Sequence, residues 1–155
     1  MTFDNSRTII SIRIKLFGVT VAVLAYIALT YVAKLIKFPF LGMSDIVWTL
    51  ILVAIWFLVA LMPMFLSYQF ISYSDDDEKI VFRYFTAGIV GGRKNSVEIN
   101  KNLFSGYKIE STLFGLKQRI ILFQRINEGV AKYPPVYISA LTREERGKII
   151  RSLNS

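Results

Sequence analysis

The sequence predicts an α-helical transmembrane hairpin followed by a mainly antiparallel β domain that a C-terminal helix caps. Three observations carry this expectation: two long uncharged apolar stretches in the first half, short β-rich runs separated by turn residues after Gln69, and a capped amphipathic segment at the end. Composition agrees. The 155 residues are 54% hydrophobic and 19% charged, and 19 Lys plus Arg against 11 Asp plus Glu leave a formal net charge of +8. With neither His nor Cys in the chain, a Ser-His-Asp triad, a thiol nucleophile, a disulfide scaffold and an ordinary zinc site are all excluded.

The first apolar stretch, Leu16 to Ala33, holds 18 consecutive uncharged residues. At about 1.5 Å per residue it crosses most of a hydrocarbon layer of roughly 30 Å, and Lys34 and Lys37 complete the span by snorkelling. The second runs from Ile46 to Leu66, 21 residues. Between them Phe38 to Ser44 carries Pro39 and Gly42, which predicts a tight helical hairpin with both ends on one side. A secretory leader is the competing reading of the first span, but its apolar core is too long and a second full span follows directly. Residues 1–15 are therefore read as an N-terminal tail, 16–68 as the hairpin and 69–155 as a water-soluble domain.

Arg7, Arg13 and Lys15 before the first span outnumber Lys34 and Lys37 after it, so the positive-inside bias puts both termini and the soluble domain in the cytoplasm. Trp48, Tyr31 and Phe38 are then expected at the outer interface and Tyr68 and Tyr73 at the inner one. No Asp, Glu, Lys or Arg lies deep in either span, which leaves a proton relay or gating charge nothing to use. Gly18, Ala22, Ala25 and Leu29 fall on one helical face, where small side chains let another helix approach; packing within the hairpin is the favoured explanation. Trp56 is expected to pack against a helix, and Pro63 to bend the exit of the second span.

Six strands are expected in the soluble part: 70–74, 79–85, 96–99, 103–110, 118–126 and 136–139. In the second of these, alternation puts Ile80, Phe82 and Tyr84 on one face and Val81, Arg83 and Phe85 on the other. Turns are expected at 75–78, 88–95, 100–102, 111–117 and 127–129. Gly106 and Gly115 serve strand curvature or turns, and Pro134 with Pro135 predicts a bulge or an edge. Thr142 and Glu145 form a T-x-x-E capping box ahead of Arg146, Ile149, Ile150 and Leu153 at helical spacing, so a short amphipathic helix ends the chain.

Two amino-terminal spans, the strand-turn-strand opening ISYSDDDEKIVFRYF and the closing VYISALTREERGKII resemble the layout of membrane-anchored bacterial pleckstrin-homology-like proteins. The resemblance covers nearly the whole chain. It implies a partly open barrel of two roughly orthogonal sheets with a C-terminal helix across one end, in a bacterial cytoplasmic membrane, and no defined reaction. Eukaryotic relatives of that fold often bind phosphoinositides through a basic pocket in the first strand loops, whereas here the opening turn is Asp75, Asp76, Asp77 and Glu78.

That acidic turn lacks the spacing and glycine of a calcium loop, so a solvated turn is favoured over a metal site, and no cofactor is expected. Gly88, Gly91, Gly92, Arg93 and Lys94 match a phosphate-binding loop poorly and read as a flexible connection. Arg83, Arg93, Lys94, Lys108, Lys117 and Arg119 are the residues expected to contact anionic lipid headgroups or a partner, since basic loops tethered near a membrane lie within its surface potential. The aromatics among them are read as core, and nucleic acid is not an expected partner. The function expected is thus non-enzymatic: a membrane-anchored domain that binds a protein partner or organises a membrane assembly. An accessory subunit making its main contact through its helices is the first alternative. A metal-dependent hydrolase or transferase using Asp75 to Glu78 or Glu110 is the second.

Overall fold

The chain divides into two units in the computed structural model, which describes residues 1–76, 78–87 and 92–155. One unit joins Met1–Ile9 to Pro63–Ser155, and the other is Ile10–Met62.

Both apolar stretches are helical, which pairs their backbone donors and acceptors within the segment. Helix α1 covers Ser6–Ile27 and continues as a π-helical segment through Ala28–Val32, and helix α2 covers Asp45–Phe65. The first helix starts ten residues before the expected span, so residues 6–15 are helical and Arg7, Arg13 and Lys15 sit on its opening turns. Asn5 and Ser6 are a helix-start signal in plain sight: the Ser6 backbone N–H donates to Asp4 Oδ1 at 2.9 Å and the Ile9 N–H to the Asn5 carbonyl at 3.1 Å. Within Ile10–Met62 the two helices run antiparallel. Trp56 Nε1 donates to Thr20 Oγ1 at 2.8 Å, the Tyr26 hydroxyl donates to the Asp45 carbonyl at 3.3 Å, and the Tyr31 and Thr49 hydroxyls bond at 2.7 Å. Phe40 and Met43 exchange two backbone hydrogen bonds across Leu41 and Gly42, both at positive φ (53° and 79°), which closes the connection.

The small-residue row does not pack inside this hairpin. Gly18, Ala22, Ala25 and Leu29 are all exposed, while Val19, Thr20, Val23, Tyr26 and Ile27 are the half-buried positions. Side-chain size indicates that a face permits close approach, and the polar pairs of Thr20 and Tyr26 decided which face turned inward.

In the other unit, strands β1 (Thr2–Asp4), β2 (Gln69–Ser74), β3 (Lys79–Thr86) and β4 (Asn95–Asn100) form an antiparallel sheet in the order β1-β2-β3-β4. A second antiparallel sheet contains β5 (Phe104–Thr112), β6 (Lys117–Ile126), β7 (Gly129–Lys132) and β8 (Val136–Tyr137), with β7 and β8 both paired to β6. Neither sheet closes on itself. The six expected strands are present; β1 and β7 are additions, each too short to show alternation. Alternation in β3 holds, since Ile80, Phe82 and Tyr84 are buried and join Ile71, Val97, Ile99, Ile120, Leu122 and Val136 in the core. The register of β6 slips by one residue between Tyr133 and Val136, where Pro134 and Pro135 interrupt the ladder. It slips again opposite Gly106, whose φ of 131° suits glycine.

Helix α3 (Arg143–Leu153) starts at the expected capping box: the Glu145 N–H donates to Thr142 Oγ1 at 3.2 Å, and the Thr142 N–H donates to Glu145 Oε2 at 2.7 Å. Ile149 and Leu153 bury into the core cluster shared by the two sheets.

Two polar ties hold this unit together. Asn5, fully buried, donates through Nδ2 to the Gln69 carbonyl at 3.0 Å and accepts the Ile71 N–H on Oδ1 at 2.8 Å. The second tie corrects two expectations. Tyr73 is wholly buried rather than interfacial, and Asp75 is not in a solvated turn. The Tyr73 hydroxyl bonds Ser152 Oγ at 2.8 Å, Ser152 Oγ donates to Asp75 Oδ2, and Lys101 Nζ pairs with Asp75 Oδ1 at 2.6 Å, which joins β2, α3 and the end of β4. Asp77 lies outside the described residues.

Burial opposes the charge on Asp75, but hydrogen bonds from Lys101 and Ser152 and the Lys101 charge outweigh it and hold the carboxyl below its ordinary pKa. Stability from this group is therefore present above its unfolded pKa of about 3.9 and lost as pH falls through the lower folded value. Asp75→Asn should lower unfolding free energy at pH 7 by about 1–3 kcal/mol, and the gap to the parent chain should close in melts below about pH 4. Burial, followed by the nearby Asp75 charge, pushes Tyr73 up to about 12 against the Ser152 hydrogen bond. Its neutral form is favoured in the fold, so this contribution is lost as pH rises from about 10 to about 12.

Candidate interaction surface

The outward face of the first sheet is built from the residues that alternation turns away from the core. Phe70 and Phe85 are register partners on β2 and β3, and their rings stack at 4.8 Å between centroids. One pair further along, Ser72 faces Arg83, and Arg83 faces Ser96 on β4. These side chains, with Tyr84, Lys94 and Asn95, line an open cleft of about 360 Å³. Its floor is aromatic and its rim carries two cations. Among the described residues neither Arg83 nor Lys94 has an ion-pair partner. Such a surface suits a group that joins an apolar body to an anionic end.

The other expected cations lie elsewhere. Arg93 is exposed beside Lys94. Lys108 and Arg119 are on the second sheet, where both pair with Glu110, at 3.1 Å and 2.5 Å. Hydrogen bonds from Lys108 and then Arg119 hold the Glu110 carboxyl below its ordinary pKa. Lys117 Nζ sits 5.1 Å from the centre of the Tyr137 ring. The structure thus brings Arg83 and Lys94 to one cleft and keeps Lys108, Lys117 and Arg119 apart from it. Sequence reasoning missed Phe70 and Phe85 as site residues; their place on the same strand face as Ser72 and Arg83 was the available signal.

Among the described residues no group of three or more Asp and Glu side chains is placed to hold a metal ion. Asp75 and Glu110, two of the carboxylates nominated for metal chemistry, are both engaged by cations. Gly88 and Gly91 of the glycine-rich connection lie outside the described residues. No family model matches the chain, and neither do the curated proteins or the solved structures compared with it.

Proposed function

We propose that this chain is a non-enzymatic membrane-anchored protein. Two spans hold a pleckstrin-homology-like domain at the inner face of a bacterial cytoplasmic membrane, where it binds a protein partner or organises a membrane assembly, with anionic lipid as a second contact. The observation that carries the reading is where apolar surface is exposed. None of the most apolar 18-residue window of the first helix is buried and only 11% of the second, whereas helices in the core of a soluble protein are mostly buried. Val32, Leu58 and Phe17 are among the exposed side chains, and water would penalise them heavily where lipid would not. Two open antiparallel sheets with a helix joining their core support the domain assignment.

One observation favours the accessory-subunit alternative: Gly18, Ala22 and Ala25 present a small-residue face outside their own hairpin, suited to a helix of another protein. Crosslinking and affinity purification from native membranes separate the two readings. Loss of the partner with Arg83→Glu plus Lys94→Glu supports recognition by the β domain; loss only with Ala25→Leu supports the helices. Release of the full chain by alkaline carbonate without detergent would overturn the membrane assignment. Reversing Arg83 and Lys94 should also weaken binding of the detergent-purified full chain to phosphatidylglycerol vesicles several-fold, and leave binding to phosphatidylcholine vesicles unchanged.

A further inference from the structure

The connection between β5 and β6 is unusual for a water-facing turn. Its four residues are Leu113, Phe114, Gly115 and Leu116, with no polar side chain among them. Leu113 is 54% exposed, Leu116 62% and Phe114 108%, the last as bare as a residue in an extended chain. Leu113, Phe114 and Gly115 also have successive positive φ values of 53°, 55° and 88°. Glycine adopts that conformation freely, but leucine and phenylalanine do so at a cost. The hairpin therefore spends conformational energy to display apolar side chains that are more than half exposed, Phe114 completely so.

Hydrogen bonds within that unit show where the tip lies. Arg119 on β6 is paired with Tyr137 on β8, and Lys117, two residues nearer the tip, rests on the Tyr137 ring. The Tyr137 N–H donates to Gln69 Oε1 at 2.9 Å, and the Gln69 carbonyl accepts from Asn5 at 3.0 Å. Gln69 follows α2 by a few residues and Asn5 directly precedes α1. At about 3.4 Å per strand residue, the tip begins within about 10 Å of Tyr137. Within this unit the tip thus begins on the side of Gln69 and Asn5, the residues next to which the chain enters and leaves the two apolar helices. Its charged neighbours favour an anionic surface: Lys117 is free of acidic partners among the described residues, and Glu110 is matched by Lys108 and Arg119.

We propose that Leu113, Phe114 and Leu116 form a membrane-insertion loop that enters the interfacial layer of the bilayer crossed by α1 and α2, with Lys117 at the headgroup level. The inference rests on the membrane assignment above and adds a third point of attachment, which orients the domain as well as tethering it. Aromatic and branched aliphatic side chains above a lysine are the composition that binds a lipid interface.

The chain has no cysteine, so single-cysteine labelling tests this in the full-length protein. Phe114→Cys, Asn127→Cys and Leu58→Cys each receive an environment-sensitive fluorophore after reconstitution into phosphatidylethanolamine–phosphatidylglycerol vesicles containing acyl-chain nitroxide lipid. Asn127 lies at the other end of β6 and is the aqueous control. The expected result is quenching of the Phe114 and Leu58 labels several-fold stronger than that of the Asn127 label. Quenching at Leu58 with Phe114 behaving like Asn127 would overturn the insertion loop and leave the spans intact; this is also the outcome if a protein partner covers the tip. No quenching at Leu58 would overturn the membrane assignment and the loop with it. Phe114 contacts no core residue, so its replacement should leave the melting profile unchanged, and a shifted profile would itself contradict the exposed tip.

Discussion

Asn5→Ala should lower the unfolding free energy of the β unit by about 2–4 kcal/mol. The side chain is fully buried and satisfies two backbone groups of β2, the Gln69 carbonyl and the Ile71 N–H. Alanine offers neither donor nor acceptor, and a buried backbone group left without a partner costs about 1–3 kcal/mol. The same residue directly follows β1, so its loss also loosens the Phe3–Tyr73 and Asp4–Ser72 register. Denaturant titration of the detergent-solubilised full chain reads the stability, and hydrogen exchange at the Ile71 amide reads the mechanism. A change under about 0.5 kcal/mol, typical of a surface substitution, would show that the tie contributes nothing. A practical consequence concerns fragments. A chain cut to residues 69–155 lacks β1 and Asn5, and should be less stable than the full protein and more prone to edge pairing along β2.

Phe82→Ala carries the other large effect, a loss of about 3–5 kcal/mol. Phe82 has no exposed surface and meets the Tyr73 ring edge-on at 4.8 Å. Removing its ring opens a cavity between the first sheet and the core that neighbouring β-branched residues fill poorly. Arg83→Ala, one residue along and on the opposite face, should stay within about 0.5 kcal/mol. Thermal melts followed by near-ultraviolet circular dichroism compare the two. Because Ile10–Met62 forms its own unit, the helical far-ultraviolet signal of the hairpin should outlast the β transition in Phe82→Ala. Equal melting temperatures for the two variants would mean that β3 does not pack as described.

Features governed by near neighbours were legible. Two apolar runs announced α1 and α2, the alternation of Lys79 to Phe85 sorted core from surface, and Thr142 with Glu145 marked the start of α3 to the residue. Pro134 with Pro135 signalled the bulge or edge at which one register slip occurs, and Gly106, read as serving curvature or a turn, lies at the other. Each depends on spacing or backbone restriction within a few positions, which holds wherever the segment ends up. Half of the candidate surface was legible in the same way: Arg83 and Lys94 stood out as cations, whereas Phe70 and Phe85 were lost among many aromatics because burial, not residue type, separates a core ring from a surface ring.

What required the folded chain was every pairing across long sequence separations. Three residues of β1 carry no periodic signal, and only partnership with β2, more than sixty positions away, makes them a strand. Asp75 looks like one acid of a solvated run until Lys101 and Ser152 surround it. The Gly18 row indicates a face that another helix could approach, but hydrogen bonds from Trp56 and Tyr26 turned a different face inward. An isolated segment reports its own conformational preferences; which distant polar group meets it is decided when apolar burial brings the segments together and leaves buried donors and acceptors that must find partners.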